Sequence, residues 1–589
     1  MSNRVWMFPS IKTFRELGRV GRGVQTQIVS LAAVLSVTML ASAVGMGLLV
    51  SASARSSRPM LFAGLVVLGT SFIAGSLWEF LEVAATKLTL RIRESAQRAI
   101  LEASLKPLGI AHLEDPELAT EVDGAREQWM GGTNLGRALP AMTAVRIHAF
   151  AAMVAIGVVF LPGVPLFVVA RAAMRKWLSD EVDVSDEHPH SVDNHRARYF
   201  RDLCLGRGAA KELRLFGLRD FALSRYLAHS HAALQITKNK RGSMRVRAVA
   251  LFAATTASIG ILVWGITAAV LRGAADIGFA VAAVELGMQA LLMGGGDEEV
   301  EVARGGAMLR RAFSLLARTR AAGDVVSGDA DLGEQAVSGV SFKRVTFRYG
   351  SDGEPVLNDL SLTLRSGECL AIVGANGAGK TTLVKLLMRL YDSNDGRISV
   401  DNVEIGSLDV RAWRRRLAVL TQDACHFDAP LAYNVGLGRA SDAEVRDALV
   451  EAGAGDLIET VGLNTMCSPS YEGGVDLSGG QWQKVSLARV ICACRAGADV
   501  VIMDEPTASL DAVAEARFFD TFAEVTRGRI SVIISHRFST VRCADRIAVL
   551  EGGRVSELGT HDDLIARRGT YAAMFETQAK PFAPLAEAV

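Results

Sequence analysis

From Val24 to Ala54 the chain carries no charged side chain, and this run sets the reading of the first half. A membrane-crossing helix needs about 20 mostly apolar residues. On that rule spans are predicted at 25–50, 60–80, 141–160, 163–176, 248–271 and 277–293. The third and fourth are separated by Leu161-Pro162-Gly163-Val164-Pro165, where prolines and glycine punctuate a tight turn. The run at 24–54 is about twice the 7–15 apolar residues of a secretory leader, so no cleavable signal is expected. Ahead of it, Phe8, Ile11, Phe14 and Leu17 alternate with Lys12, Arg15 and Arg19 in a helical pattern. Such a basic amphipathic stretch suits an inner membrane surface or a solvated cytosolic helix.

Loop charge gives the orientation. The stretch before the first span and the segments Lys87–Arg137 and Arg171–Arg247 are rich in Arg and Lys. The other three loops are short and hold few basic residues. The positive-inside rule then places both termini in the cytosol and the chain in the cytoplasmic membrane. The two long cytosolic excursions exceed ordinary connections and are expected to be helical extensions. Within the spans, ionisable side chains are costly and usually face a cavity or a partner. Glu79, Glu82, Arg146, His148 and Glu285 qualify, with interfacial placement or interhelical pairing as the alternative use. After the last span, Gly294-Gly295-Gly296 each cost about 1 kcal/mol against Ala in a helix, so either the helix breaks there or the sixth span lies differently.

Composition agrees with a membrane protein that has a soluble half. Hydrophobic residues make up 50% and charged ones 22% of the 589 residues, with a mean hydropathy of +0.25. A net charge of +1 provides no field that would call for nucleic acid. The pattern predicts a membrane domain over 1–322, a Gly-, Asp- and Ser-rich linker over 323–339, a soluble α/β domain over 340–578 and a tail over 579–589.

In the soluble half, Gly374-Ala375-Asn376-Gly377-Ala378-Gly379-Lys380-Thr381 fits the P-loop pattern without a gap. It follows the apolar strand Cys369–Val373 and opens a helical run through Thr382 to Leu390, the context a P-loop requires. The glycines let successive backbone N–H groups turn toward phosphates, and the helix N-terminus favours negative charge. Lys380 is expected at the β- and γ-phosphates of ATP, and the Thr381 hydroxyl on Mg²⁺. A second apolar strand, Val500–Met503, ends in Asp504-Glu505. Asp504 is placed to hold Mg²⁺ and Glu505 to polarise the attacking water.

A third element, Leu477-Ser478-Gly479-Gly480-Gln481, opens a helix and matches the signature of ATP-binding cassette proteins. The chain resembles the exporters of that family, most specifically from Val340 to Phe575. The resemblance implies six membrane helices with long cytosolic extensions fused to a P-loop NTPase cassette. It further implies that Tyr349 stacks on adenine, that Gln422 senses Mg²⁺ and water, and that His536 contacts the γ-phosphate. Ser509-Leu510-Asp511 matches the family's loop that couples the two sites. Leu113–Leu118 and Lys211–Gly217 resemble the short coupling helices at the tips of the excursions.

In the family the signature closes on ATP held by a second cassette. One P-loop and one signature per chain therefore imply a dimer, with a second copy or a related half-transporter. Membrane lipid surrounds it, and the transported molecule is unknown. The expected activity is ATP-driven export of a small amphipathic molecule, drug-like compound or peptide by alternating access. A lipid flippase, or an importer built on the same fold, shares every motif. A soluble cassette ATPase is excluded by the six apolar segments.

Overall fold

Long apolar runs with few breakers give long helices. Arg22–Arg55 forms one helix, which Gly21, at φ +152°, separates from the amphipathic helix Pro9–Val20. Ser56, in the left-handed region at φ 51°, closes the far end and turns the chain into the helix Arg58–Ser76. The computed structural model describes residues 9–76, 78–118, 121–122, 134–173, 176, 192–206, 208–292, 297–321, 325–350, 353–505, 512–535 and 537–579. These pack as two units, Met1–Ser104 with Glu117–Arg318, and Leu105–Pro116 with Thr319–Val589.

In the first unit, the helices Trp78–Leu105, Leu135–Val159, Gly163–Ala173, Arg219–Leu271 and Ile277–Leu292 follow. Three helical stretches, Arg22–Arg55, Leu135–Val159 and Arg245–Leu271, are long and apolar enough to cross a membrane. Three apolar helices, Arg58–Ile73, Gly163–Ala173 and Ile277–Ala290, are shorter. The helical extension expected ahead of residue 248 is present, because Arg219–Leu271 is one helix of 53 residues, about 80 Å long at 1.5 Å per residue. Ile156, Phe167, Leu262, Ile266 and Leu286 fill one core of this unit, and Leu17, Ile28, Leu88, Ile92 and Leu309 fill another. Phe62, Phe72, Phe150, Phe252 and Trp264 face outward, as lipid-facing side chains do.

Small residues bring the first and last of these apolar helices together. A Cβ on Gly47 would lie 2.6 Å from the Gly278 carbonyl oxygen, so only glycine permits this backbone approach. One turn further on, Asp276 accepts hydrogen bonds from Ser51 Oγ (2.5 Å) and the Gly278 N–H (2.8 Å), and pairs with Arg55. Gly294–Gly296 lie outside the described residues, between helices Ile277–Leu292 and Asp297–Ala321.

The second unit contains two sheets. β1 (Gly339–Phe347), β2 (Leu357–Arg365), β4 (Asp395–Val400) and β5 (Val403–Glu404) form an antiparallel sheet in the order β2-β1-β4-β5. β3 (Cys369–Gly374), β6 (Leu417–Leu420), β7 (Val500–Asp504), β8 (Ile530–Ile534), β9 (Arg546–Glu551) and β10 (Arg554–Gly559) form the other, in the order β10-β9-β3-β8-β7-β6. All its neighbours are parallel except β9 and β10. Strands covered on both faces need continuous apolar runs. Val500–Met503 is such a run, and Ile530–Ile534 is one but for Ser531; each of these residues is at most 2% exposed.

Hydropathy alone assigns 105–116 to the membrane half and reads 323–339 as a loose linker; packing places both in the second unit. Glu114 accepts from Lys385 Nζ (2.6 Å) and Tyr391 OH (2.5 Å), and the Ile110 N–H bonds Leu390 O (3.2 Å). Burial pushes the Glu114 carboxyl up, but the hydrogen bonds from Lys385 and Tyr391 outweigh it and hold the group below its ordinary range. Farther along, Gly328 N–H bonds Leu408 O (3.1 Å) and Ala330 N–H bonds Ser407 O (3.0 Å).

Candidate functional site

Parallel strands end on the same edge of a sheet, so the loops that leave them converge. In the order β3-β8-β7-β6 that edge receives the P-loop after β3, Ser535 after β8, Asp504-Glu505 at the end of β7, and Gln422 after β6. Residues as far apart in sequence as 374 and 535 are collected by topology alone.

At the P-loop, Gly379 has φ +100° and opens the helix Lys380–Leu387. Ala375, Asn376 and Gly377 are exposed, whereas Ala378, Gly379 and Lys380 are buried. The Lys380 ammonium donates to Gly374 O (2.8 Å) and Ala375 O (3.0 Å) and so closes the loop on itself. Burial pushes that ammonium below its ordinary value, while the carboxylates Glu505 and Asp504 pull the other way. A buried cation held only by backbone oxygens, beneath an exposed glycine loop, fits an incoming phosphate. Thr381 stands exposed at the helix start, while Thr382 is buried and its hydroxyl meets Tyr349 OH at 3.0 Å.

Across the edge, Gln422 Nε2 donates to Glu505 Oε2 at 3.2 Å. Glu505 sits at φ +50° and its N–H bonds Ile534 O (2.9 Å). A non-glycine residue in that region is strained, and here it marks the side chain expected to handle water. The oxygen donors Thr381, Asp504 and Gln422 are of the hard type that suits Mg²⁺. Among the described residues no cluster of three or more His, Cys, Asp or Glu could hold a metal, so water and substrate oxygens would complete such a site.

Tyr349 is partly exposed and packs edge-on against Phe347 (5.0 Å) and Tyr391 (5.4 Å). Lys385 Nζ lies 5.4 Å from the centre of its ring. Ser478 caps the helix Gly479–Arg495 reciprocally: its hydroxyl accepts from Gln481 N–H, and Gln481 Oε1 accepts from Ser478 N–H at 2.8 Å. Among the described residues no hydrogen bond joins Ser478, Gly479, Gly480 or Gln481 to the P-loop. His536 and Ser509-Leu510-Asp511 lie outside the described residues.

Sequence reasoning missed the clamps that hold these loops. Arg489, on the helix that Ser478 caps, donates to Asn434 O (2.9 Å) and Cys425 O (3.2 Å). His426 stacks on Trp482 at 4.0 Å, and burial followed by the Arg489 charge holds its ring below the ordinary histidine value. Buried Asn434 accepts from Phe427 N–H (3.0 Å) and donates to Phe427 O (2.9 Å) and Ala429 O (3.1 Å). The loop after Gln422 is thus tied to the signature helix. The only cue in the sequence is polar residues standing in apolar helical patterns.

In the first unit, Glu82 pairs with Arg137 (2.8 Å), and His148 Nδ1 lies 2.6 Å from Ala144 O. Glu285 Oε1 accepts from Ser42 (3.3 Å) and Gln289 (3.1 Å). The side chain of Glu79 lies outside the described residues.

Comparison with known proteins agrees with this geometry. Residues 357–508 match the sequence profile of the ABC transporter family. That stretch lies within the second unit. A lipid A-core flippase of Cupriavidus pinatubonensis, described as ATP-dependent, is 39% identical over 252 residues, 42% of each chain. A protein of the same description from Thiobacillus denitrificans is 39% identical over 244 residues, 41% of each chain. The chain thus spans about two-fifths of the length of the curated relatives it matches. Among solved structures, a bacterial Atm1-family ABC exporter with ATP bound superposes with a TM-score of 0.72 at 24% identity. That match covers 96% of this chain and 99% of the other. The chain thus has the fold of that exporter, an apolar helical unit followed by an α/β unit that contains the matched stretch.

Proposed function

We propose that two such chains form an ATP-driven exporter that moves an amphipathic molecule across the cytoplasmic membrane, and that the molecule is a lipid or lipid-like. The observation that carries the reading is the convergence of Lys380, Asp504, Glu505 and Gln422 on one sheet edge, in a chain whose other unit is built of long apolar helices. Export of drug-like compounds or peptides is a broader expectation than the relatives support; their names favour lipid movement.

Lys380 exchanges its backbone acceptors for the β- and γ-phosphates of ATP, and Tyr349 offers its ring face to the adenine. Thr381, Asp504 and Gln422 would hold Mg²⁺, which would supply charge neutralisation at the transferring phosphoryl group. Glu505 orients and deprotonates the attacking water. Gln422, already hydrogen-bonded to Glu505, positions that carboxylate. The internally satisfied cap at Ser478 leaves the N-terminus of its helix as an anion site for nucleotide on a second cassette. That arrangement supports a homodimer, or a dimer with a related half-transporter. Closure of the two cassettes favours one orientation of the membrane helices over the other, and hydrolysis resets it. Both termini are cytosolic on this reading.

The test uses the full chain in liposomes with a fluorescent head-labelled lipid and ATP. The expected result is ATP-dependent movement between leaflets, lost in Glu505→Gln together with hydrolysis, by about 10²–10⁴-fold, while nucleotide binding persists. Near-parental hydrolysis by Glu505→Gln would remove the assigned base. Hydrolysis without lipid movement would remove the lipid reading.

A further inference from the structure

The first unit holds an open pocket of about 730 Å³ bordered by the helices Arg22–Arg55, Arg219–Leu271 and Ile277–Leu292. Its wall is apolar except at Thr267, Glu285 and Gln289. That volume lies within the range of about 300–1,000 Å³ typical of small-molecule sites.

The polar end is made of acceptors. Glu285 Oε1 is occupied by Ser42 and Gln289, whereas Glu285 Oε2 is buried with no hydrogen-bond partner. One helical turn on, Gln289 spends an amide hydrogen on Glu285, and its Oε1 is likewise buried and unpartnered. Thr267 donates its hydroxyl proton to Val263 O at 2.8 Å, so its oxygen has only lone pairs left to offer. Among the lining residues there is no Lys, Arg or His. A carboxyl oxygen without a donor in an apolar surrounding is costly, and what relieves it is a positively charged hydrogen-bond donor. A phosphate or carboxylate head finds neither cation nor charged donor there.

We propose that this cavity binds amphiphiles with a protonated amine head: the ammonium lies against Glu285, Gln289 and Thr267, and the alkyl body along the apolar wall. Met46 and Met288 supply adaptable apolar contact in that wall. This names a substrate class for the amphiphile transport proposed above and rests on that reading for its role, though not for its binding.

The experiment uses the full-length protein in lipid nanodiscs without nucleotide, with empty discs subtracted. The probes are tetradecylamine, tetradecanol and tetradecyl phosphate, matched in chain length. The amine is expected to bind about tenfold or more tighter than the alcohol, and the phosphate weakest of the three. Glu285→Gln should bring the amine to within about twofold of the alcohol, while Glu285→Asp keeps most of the preference. If Glu285→Gln fails to fold, Gln289→Met retains the charge and removes one acceptor, and it should reduce the preference several-fold. Equal binding of all three probes, preference for the phosphate, or an amine preference that survives Glu285→Gln overturns the proposal. So does a Glu285→Gln protein that changes oligomeric state with its amine preference intact, since the cavity would then be a contact between copies. Because no ATP is present, failure of ATP-driven lipid movement leaves this outcome readable by itself.

Discussion

Replacing Arg389 with Met should loosen the junction between the linker and the cassette core. Arg389 is 1% exposed and donates to Ile405 O (2.8 Å), Leu408 O (3.1 Å) and Val326 O (2.9 Å). Its carboxylate partner Asp392 is 46% exposed, so that pair contributes little. Met retains most of the apolar stem, which makes the cost chiefly that of the lost hydrogen bonds. The bonds to Ile405 and Leu408 are buried; the two carbonyls keep the N–H groups of Leu408 and Gly328, so what is lost is a hydrogen bond from a charged donor at each, about 1.5–3 kcal/mol apiece. Two of them give about 4 kcal/mol, in line with the cost of breaking a buried charge network. The N–H groups of Gly328, Ala330 and Asp409 bond Leu408 O, Ser407 O and Ala330 O across this junction and report its opening. Hydrogen exchange in the full chain should accelerate at those amides by at least about 100-fold, allowing for other routes of opening. Arg389→Lys, which keeps the charge but not the planar fork, should fall between. Exchange within about threefold of the parent in Arg389→Met would refute the argument.

Two further outcomes follow from the site. A mixed dimer of Lys380→Ala and Ser478→Arg chains should keep one competent site and occlude nucleotide, whereas a doubly substituted chain paired with a normal one should not; the reverse result removes the shared-site arrangement. Asn434→Ala removes the acceptor of the Phe427 N–H and the amide donor to the Phe427 and Ala429 carbonyls, which keep the N–H groups of Ala429 and Cys467; it should destabilise the cassette by about 1–3 kcal/mol in denaturant titration, with hydrolysis falling more than ATP binding because the loop carrying Gln422 loses its clamp. Equal losses in both would contradict the clamp's proposed role.

What was legible in the sequence was contiguous. The P-loop is eight adjacent residues, and its strand-loop-helix setting follows from their order. The exporter-type fold was legible because long apolar runs and two basic excursions are one-dimensional signals. What escaped is held by side chains that meet across long sequence separations. Arg389 reaches 63 residues back to Val326, and Arg489 reaches 64 back to Cys425; neither spacing is a motif. Segment 105–116 shows the same limit, because its polarity continues the excursion while its bonds go to Lys385, Tyr391 and Leu390. The positive φ of Glu505 likewise comes from where β7 ends against Ile534, which no local pattern displays.

The helix Lys380–Leu387 carries two lysines with different work. Lys380 opens it and faces the P-loop carbonyls, while Lys385, on the next turn, holds Glu114. Phosphate capture and segment 105–116 are therefore joined through eight residues of one helix. An exposed ion pair such as Lys385–Glu114 is worth about 0–1 kcal/mol, too little to transmit a load. The Ile110–Leu390 backbone bond and the Arg414 donation to Leu108 O at 2.6 Å are what fix the segment to the core. The loop after Gln422 is fastened separately, through Arg489 and the His426–Trp482 stack, to the helix capped by Ser478. The Gln422–Glu505 hydrogen bond, at 3.2 Å, is the polar contact described between that loop and the catalytic strand. A site whose loops leave one sheet edge but are fastened to different helices is suited to let nucleotide decide how far those loops close.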